Sequence, residues 1–431
     1  MVIFLHVLEL LRNSTTIMSF FEEHKKIHFI GIGGIGVSAL ARLCKARGIE
    51  VSGSDATASS ITNELLDEEI SLVVGHRAEN VPEDVDGVIY SEAIPEKNVE
   101  RVRAEELGVP AVSYFEALGE ITEDYRLIAI AGSHGKTTVT AMLGLILERA
   151  GMDPTVIVGS KLKEFGSKNV RVGAYSGLTD LFVLEACEYR RDFLSLHPAL
   201  LGVLNMDLDH TDYYHSQEDY EQAFHELAEQ SEEVIWPEDI SEYEGEVGVP
   251  GDHNLMDAGM AAHLARRLGV SEGVIAESLK AYHGAWRRFE YKGMTLNGAA
   301  VYDDYAHHPT EIMATLAAAR DKFPDERIVA VFQPHQYSRT RDLLEGFAQA
   351  FPDADEVIIP NIYAARDSKE DKESISAECL VEEISKYHDN VRFGGGLEKT
   401  AEYLEETTED GDLVLVMGAG DIDQVSYRLT A

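Results

Sequence analysis

The sequence has few basic residues for its length. Its 431 residues include 37 Lys and Arg against 77 Asp and Glu, which gives a formal net charge of −40 at pH 7. Binding of a nucleic acid over a broad surface needs Lys and Arg to neutralise the phosphates. The composition therefore argues against nucleic acid as a partner, and a phosphate-containing ligand must bind in a local pocket. We expect the excess of acid to form a solvated surface.

Cysteines and long apolar runs are also scarce. The three cysteines, Cys44, Cys187 and Cys379, contain no CxxC pair and are too few for a disulfide framework. No apolar run approaches the about 18 residues of a membrane span, and the stretch MVIFLHVLELLRN lacks the basic segment and cleavage site of a signal peptide. We predict a cytoplasmic protein with no membrane partner, in which residues 1–17 are an extension with no part in the fold.

What the sequence does contain is an alternation of apolar, strand-like runs with helical segments. This alternation predicts the α/β class with largely parallel sheets. At about 150 residues a domain, the length predicts roughly three domains. The predicted bounds are 18–124, 125–290 and 291–431, and the strand–helix order of the last domain is Rossmann-like.

A glycine-rich turn follows the first predicted strand. The run IHFIGI leads into Gly31, Gly33, Gly34 and Gly36, and a helix and a second strand ending at Asp55 follow. This order is typical of a Rossmann-like domain, in which the turn approaches a diphosphate. The spacing G-x-G-x-x-G fits only Gly31, Gly33 and Gly36, so the match to a dinucleotide fingerprint is imperfect.

A second glycine turn, GSHGKTT, lies between an apolar strand and a helix. Glycine N–H groups and a helix N-terminus bind phosphate oxygens, a lysine reaches the β- and γ-phosphates, and a threonine hydroxyl ligates Mg²⁺. The Walker spacing GxxxxGK[ST] is not met, because position 130 is Ile. The context still predicts a phosphate loop in a P-loop ATPase-like central domain. Its ligand-contacting residues are Gly132, Ser133, His134, Gly135, Lys136, Thr137 and Thr138.

Two more polar residues follow strands of the central domain. Glu185 ends the strand LFVLEA, and His210 follows the strand GVLNM. Catalytic groups in parallel sheets gather at the carboxyl ends of the strands, so both are expected near the phosphate loop. Oxygen ligands suit Mg²⁺, and a histidine ligand suits a second Mg²⁺ or Mn²⁺. We predict metal ligation by Thr137, Glu185 and His210.

The ordered set of motifs resembles the Mur ligases. These motifs are HFIGIGGIGVS, SGSD, AGSHGKTT, NMDLDHTDYY, GDHN, WRRFE, DDYAHHPTE and FQPHQYSRTR, and the similarity continues to GAGDI at 418–422. The resemblance implies an ATP-dependent amide ligase of peptidoglycan precursor synthesis, in which a carboxylate forms an acyl phosphate and an amine displaces phosphate. DDYAHHPTE with FQPHxYSR favours the alanine-adding branch. The implied substrates are UDP-N-acetylmuramate and L-alanine, with ATP and Mg²⁺ or Mn²⁺ as cofactors, in a monomer or homodimer.

The resemblance also implies roles for single residues. The catalytic set is Lys136, Glu185, His210, Arg288 and His307. Besides the phosphate loop, the ATP contacts are Asn254, Arg288 and Asp304. The nucleotide-sugar and the amino acid are expected at Gly33, Gly34, Ile35, Gly36, Ser54, Asp55, His335 and Arg339. Several Mur ligases carry a carbamylated lysine after the metal-binding histidine; here no lysine occurs from residue 169 to 279, which favours the alanine-adding branch and its recycling relative.

The sequence departs from the family pattern in three motifs. EACEYRR replaces EADESD, GDHNLMDA replaces GRHNxxNA, and Gln336 replaces an arginine expected to contact the anionic substrate. Three alternatives remain open: a ligase that adds a recycled tripeptide to the same nucleotide-sugar, a nicotinamide oxidoreductase that uses the first glycine turn, and a non-catalytic Mur-like protein. The oxidoreductase leaves Lys136 and Thr137 unexplained.

Overall fold

The computed structural model describes residues 20–177, 180–210, 213–365 and 367–431. The predicted extension 1–17 lies outside these residues. The chain forms three consecutive α/β units, each built on its own sheet, which confirms the predicted fold class. The strands of the three sheets span 26–113, 126–235 and 290–417, so the third sheet begins one residue before the predicted boundary at 291. The domain bounds stay a prediction.

The first unit has a five-stranded parallel sheet with the strand order β3-β2-β1-β4-β5. Its strands are β1 Lys26–Ile30, β2 Glu50–Asp55, β3 Ser71–Val74, β4 Gly87–Tyr90 and β5 Ala111–Ser113. Its helices are α1 Phe20–Glu23, α2 Ile35–Ala46, α3 Ser60–Asp67, α4 Val99–Leu107 and α5 Tyr114–Thr122, with a 3₁₀ turn at Ala78–Asn80.

The second unit has a six-stranded sheet with the order β11-β10-β6-β9-β7-β8, in which β8 runs antiparallel to β7. Its strands are β6 Arg126–Ala131, β7 Thr155–Leu162, β8 Lys168–Arg171, β9 Leu181–Glu185, β10 Leu200–Val203 and β11 Val234–Ile235. Its helices are α6 Lys136–Arg149, α7 Gln217–Glu229, α8 Asp252–Arg267 and α9 Glu272–Lys280, with 3₁₀ segments at Lys163–Phe165, Tyr189–Ser195 and Pro237–Asp239.

The third unit has a six-stranded sheet with the order β12-β13-β17-β14-β15-β16, in which β12 is antiparallel. Its strands are β12 Glu290–Met294, β13 Ala300–Asp304, β14 Ile328–Phe332, β15 Glu356–Ile359, β16 Val391–Phe393 and β17 Leu413–Met417. Its helices are α10 Pro309–Lys322, α11 Tyr337–Asp342, α12 Leu344–Ala348, α13 Lys369–Ser374, α14 Ala377–Ile384, α15 Leu397–Thr407 and α16 Asp423–Leu429.

The central strands of the second and third sheets are almost entirely apolar. Every residue of β14 and β17 is buried, as are all residues of β6 after Arg126. Helices cover both faces of such strands, which is why they show no alternation of polar and apolar residues. In the second sheet Ile130 pairs with Glu185, and Ala131 pairs with Val203. The carboxyl ends of β6, β9 and β10 therefore lie side by side.

Polar contacts join the three units. Nη1 of Arg42 in α2 donates to Oδ1 of Asn169 in β8 at 2.7 Å. The second and third units meet through Asp209 and Arg339, described below. Among the described residues, no helix is both long and apolar enough to cross a bilayer.

Candidate active site

The phosphate loop connects β6 to α6 at the carboxyl edge of the second sheet. Gly132 and Gly135 have φ values of +148° and +84°, which favour glycine. Gly135 is the N-cap residue of α6, and no described side chain caps this helix. The first-turn N–H groups of α6 are therefore available to an anion.

Lys136 is held by the loop and by an acid that sequence reasoning missed. Its Nζ donates to the carbonyl oxygens of Gly132 and Ser133 and lies 2.8 Å from Oε2 of Glu188. Oε1 of Glu188 lies 3.4 Å from Nε2 of His210. Burial raises the pKa of Glu188, but Lys136 and His210 outweigh burial and leave the pKa below its usual range. The sequence feature that could have identified Glu188 is its place as the second acid of EACE, three positions after Glu185.

Glu185 contacts the first turn of α6. Its Oε2 accepts a hydrogen bond from Oγ1 of Thr137 at 3.0 Å, and its Oε1 accepts one from the backbone of Gly159. Burial raises the pKa of Glu185 and so disfavours its ionised form. A bound cation would offset this effect and favour the carboxylate.

These contacts divide the predicted metal ligands into two places. Thr137 and Glu185 touch, and their two oxygens fit Mg²⁺, which takes the rest of its ligands from phosphate and water. His210 lies on the other side of Glu188, and its Nδ1 is buried without a hydrogen-bond partner among the described residues. In the described part of the chain, no group of three or more His, Cys, Asp or Glu side chains is arranged to hold an ion. Among the described residues, the protein therefore offers a Mg²⁺ ion the hydroxyl of Thr137 and the carboxylate of Glu185.

Glu311, which sequence reasoning also missed, connects the phosphate loop to the third unit. Its Oε1 lies 3.1 Å from Nδ1 of His134, and its Oε2 accepts from the backbone nitrogen of His307 at 2.9 Å. Nη1 of Arg288 is 4.0 Å from Oε1. Burial raises the pKa of Glu311, but the two histidines outweigh it and hold the pKa well below its usual range. Glu311 is the third residue of α10 and closes a capping box at its start.

Arg339 forms a buried ion pair across the same interface. Its Nη2 donates to Oδ1 of Asp209 at 2.9 Å, and its Nη1 lies 3.4 Å from Nδ1 of His335. Both side chains of the pair are only 6% exposed. Burial raises the pKa of Asp209, but Arg339 outweighs it and holds the pKa far below its usual range. Asp209 precedes His210 in the motif NMDLDH, which was its only signal.

The predicted catalytic residues converge on one cavity of about 390 Å³ between the three units. Its walls include all five of them: Lys136, Glu185, His210, Arg288 and His307. Ile35 and Gly36 from the first glycine turn line the same cavity. The three units thus share a single space in which a sugar acid, a phosphate and an amine would meet.

A second cavity of about 320 Å³ lies beside it, between the second and third units. Asn254 and Asp304, the predicted contacts of ATP, line this cavity together with Arg288 and the loop residues His134 and Gly135. His134 and Gly135 line both cavities, so the two cavities adjoin at the phosphate loop.

The other predicted binding residues lie further from the cavities. Oδ2 of Asp55 accepts from the backbone nitrogen of Gly33 at 2.8 Å and so supports the first glycine turn, and Gly34 is the N-cap residue of α2. Ser54 is fully buried, and its hydroxyl donates to Glu100. Among the described residues that line the two cavities, Ser54, His335 and Arg339 do not occur.

Gln336, which stands where the family pattern has an arginine, is buried in the third unit. It is 3% exposed, and its Nε2 donates to the carbonyl oxygen of Ala365 at 3.0 Å. Its backbone nitrogen donates to Tyr363 at 2.9 Å, with a φ of +73°. The side chain thus fixes a loop of the third unit.

Comparison with known protein families gives three matches along the chain. Residues 26–126 match "Mur ligase family, catalytic domain", residues 130–243 match "Mur ligase middle domain", and residues 287–420 match "Mur ligase, glutamate ligase domain".

Curated relatives match over nearly the whole chain. The UDP-N-acetylmuramate–L-alanine ligase of Caldanaerobacter subterraneus is 38% identical, with 94% of this chain and 97% of the relative covered. The enzyme of the same name from Desulfitobacterium hafniense is 40% identical, with 94% and 99% covered.

Solved structures agree with these matches. The crystal structure of UDP-N-acetylmuramate–alanine ligase from Thermotoga maritima has a TM-score of 0.79 and 28% identity, with 94% of this chain and 98% of that chain covered. A murein peptide ligase from Psychrobacter arcticus has a TM-score of 0.68 at 21% identity, with 94% and 98% covered, and shares the fold.

Proposed function

The chain belongs to the Mur ligase family, and we propose that it joins L-alanine to UDP-N-acetylmuramate at the expense of ATP. The observation that carries this proposal is the cavity of about 390 Å³, on which the phosphate loop, the first glycine turn, Arg288 and His307 converge. A ligase has to align three reactants, and such positioning supplies several kcal/mol of the barrier. The names of the relatives at 38% and 40% identity support the choice of substrates.

The proposed reaction has two steps. A carboxylate oxygen of the sugar acid attacks the γ-phosphorus of ATP, the bond to the bridging oxygen breaks, and an acyl phosphate and ADP form. The alanine amine then attacks the acyl carbon, the bond from that carbon to the phosphate oxygen breaks, and the nitrogen loses a proton. Charge spreads over the transferring phosphoryl group, so fixed cations stabilise the first step. Lys136 and Arg288 line the cavity and provide them.

We propose that Glu188 holds the Lys136 side chain close to the position in which it would bind phosphate. The ion pair at 2.8 Å keeps the lysine charged and placed over the loop. Phosphates of ATP compete for the same ammonium group, while His210 at 3.4 Å remains a partner for Glu188. The exchange of one anion for another limits the cost of moving a buried charge.

We propose ATP and Mg²⁺ as the cofactors. Thr137 and Glu185 would hold the metal ion, which supplies positive charge beside the phosphates when it is bound. The support is the contact of 3.0 Å between the two side chains and the raised pKa of the buried carboxyl. His210, with its unpaired buried Nδ1 in the described part of the chain, is the candidate ligand for a second Mg²⁺ or Mn²⁺.

We also propose a cytoplasmic location and a monomer or homodimer. The three cysteines are free thiols, which suits a reducing compartment.

Phosphate release by the purified chain tests the proposal. We expect release that requires ATP, UDP-N-acetylmuramate and an amino acid, with the highest kcat/KM for L-alanine in a panel with glycine, L-serine and the recycled tripeptide. A preference for the tripeptide would support the recycling ligase instead. Lys136→Ala should abolish release, whereas Lys163→Ala, at an exposed lysine, should not. No release with any acceptor would contradict the ligase function.

A further inference from the structure

One carboxyl group lies in the cavity where a nucleotide is expected. Asp257 on α8 lines the cavity of about 320 Å³ beside the loop residues His134, Gly135 and Thr138. Its side chain packs so closely on the loop that a β-carbon at Gly135 would collide with Oδ1. The residue is 9% exposed. A buried acid thus faces the N-terminal end of α6, the part of the loop that suits an anion.

Cations do not neutralise this acid directly. Arg288 and His134, on the same cavity wall, pair with Glu311 at 4.0 and 3.1 Å. In the described ranges, no Lys, Arg or His side chain lies within ion-pair distance of Asp257, and Thr138 lies on the same cavity wall. Burial raises the pKa of Asp257 to about 8, and Arg288, His134 and Thr138 only partly oppose this. The neutral acid therefore dominates at neutral pH.

The other titratable groups on the wall add negative rather than positive charge. They come from the loop after β10, from α8 itself, from the loop after α9, from β13 and from α10: Asp207, His253, Tyr282, Asp304 and Glu311. Three of the five are acids. Ionisation of Asp257 would add a further negative charge to a cavity that has to accept a polyanion, and like charges at close range repel.

We propose that Asp257 binds ATP in its neutral form, as a hydrogen-bond donor in the nucleotide cavity, so that ATP affinity falls when the carboxyl ionises. The inference rests on the proposed ATP-dependent function and adds a residue to it. The neutral acid has an O–H donor and a carbonyl acceptor, as a primary amide has a donor and an acceptor. Asparagine is therefore the substitute that keeps both and cannot ionise.

Calorimetric titration with a non-hydrolysable ATP analogue and Mg²⁺ at pH 7 and pH 9 tests the proposal. For the parent chain we expect Kd to rise about tenfold, because a group that titrates near pH 8 is mostly ionised at pH 9. In Asp257→Asn the ratio of the two Kd values should be close to 1. Asp252→Asn is the matched control, since it removes an acid from the same helix at an exposed position and should keep the parent ratio.

An independent readout covers the case in which Asp257→Asn folds poorly. Difference infrared spectra of the parent between pH 7 and pH 9 should show the loss of neutral-acid C=O bands, because the pKa values of Asp192 and Asp303 are also raised, each to about 7. One of these bands, that of Asp257, should be absent from any folded Asp257 variant, while the others remain. Equal Kd ratios in the parent and Asp257→Asn, or no such band, would overturn the inference alone. Failure of the parent to bind the analogue at either pH would contradict the ATP-dependent function, and the inference would fall with it.

Discussion

Replacement of Glu311 by alanine is expected to weaken the contact between the phosphate loop and the third unit. The carboxylate accepts hydrogen bonds from His134 at 3.1 Å and from the backbone of His307 at 2.9 Å, and it faces Arg288 at 4.0 Å. A hydrogen bond to a charged group contributes about 1.5–3 kcal/mol, so the loss of two should cost roughly 3–6 kcal/mol. Breaking a buried ion pair costs about 3–5 kcal/mol, and we adopt this narrower range.

Calorimetry and kinetics measure this effect. One kcal/mol corresponds to about 2–4 °C in Tm for a unit of this size, so Glu311→Ala should lower the Tm of the affected transition by roughly 6–20 °C. KM for ATP should rise, because Glu311, His134 and Arg288 line the nucleotide cavity. Glu370→Ala, at an exposed acid, is the control for the substitution itself.

Glu311→Gln, which keeps the shape and one acceptor, should fall between the parent and the alanine variant. The reasoning would be refuted if Glu311→Ala melted within about 2 °C of the parent, the change expected of a surface substitution, with an unchanged KM for ATP.

Three further predictions concern Thr137 and the Asp209–Arg339 pair. Thr137→Val should lower kcat/KM about 10- to 100-fold and raise the Mg²⁺ concentration needed for the half-maximal rate. Thr140→Val removes a buried hydroxyl without a described partner and should leave the Mg²⁺ requirement unchanged. Equal Mg²⁺ requirements in the two variants would contradict the role of Thr137 as a ligand. Asp209→Asn should destabilise the chain by about 3 kcal/mol in urea unfolding, because it leaves Arg339 buried and unpaired, while Arg341→Ala, in an exposed pair, should cost under about 1 kcal/mol. The pKa of Asp209 is lowered in the folded chain. The contribution of Asp209 to the free energy of unfolding should therefore be complete above about pH 4 and be lost as the pH falls towards the folded-state pKa. If the parent and Asp209→Asn lost stability in parallel on acidification, this prediction would be contradicted.

Local patterns were enough to predict the fold class and the two glycine turns. Each turn lies between an apolar strand and a helix, and Glu185 follows a strand end, so its position depends on residues next to it in sequence. The parallel register of β6 and β9 then brings Glu185 to the loop. Such features follow from strand order and spacing alone.

The residues that sequence reasoning missed depend on distant contacts. Glu311 meets His134 across 177 positions, and Arg339 meets Asp209 across 130. Nothing in the spacing of these acids distinguishes them from the many solvated acids of a chain with net charge −40. Ser54 shows the converse case: its motif indicates a binding site, but the local packing directs its hydroxyl to the buried Glu100.

Transfer of oxygen from the sugar carboxylate to phosphate tests the central claim most directly. UDP-N-acetylmuramate labelled with ¹⁸O in its carboxylate is incubated with the chain, ATP, Mg²⁺ and L-alanine, and the released phosphate is analysed by mass spectrometry. An acyl phosphate requires one labelled oxygen in each phosphate formed, with label release dependent on L-alanine. Unlabelled phosphate alongside amide product would contradict the account.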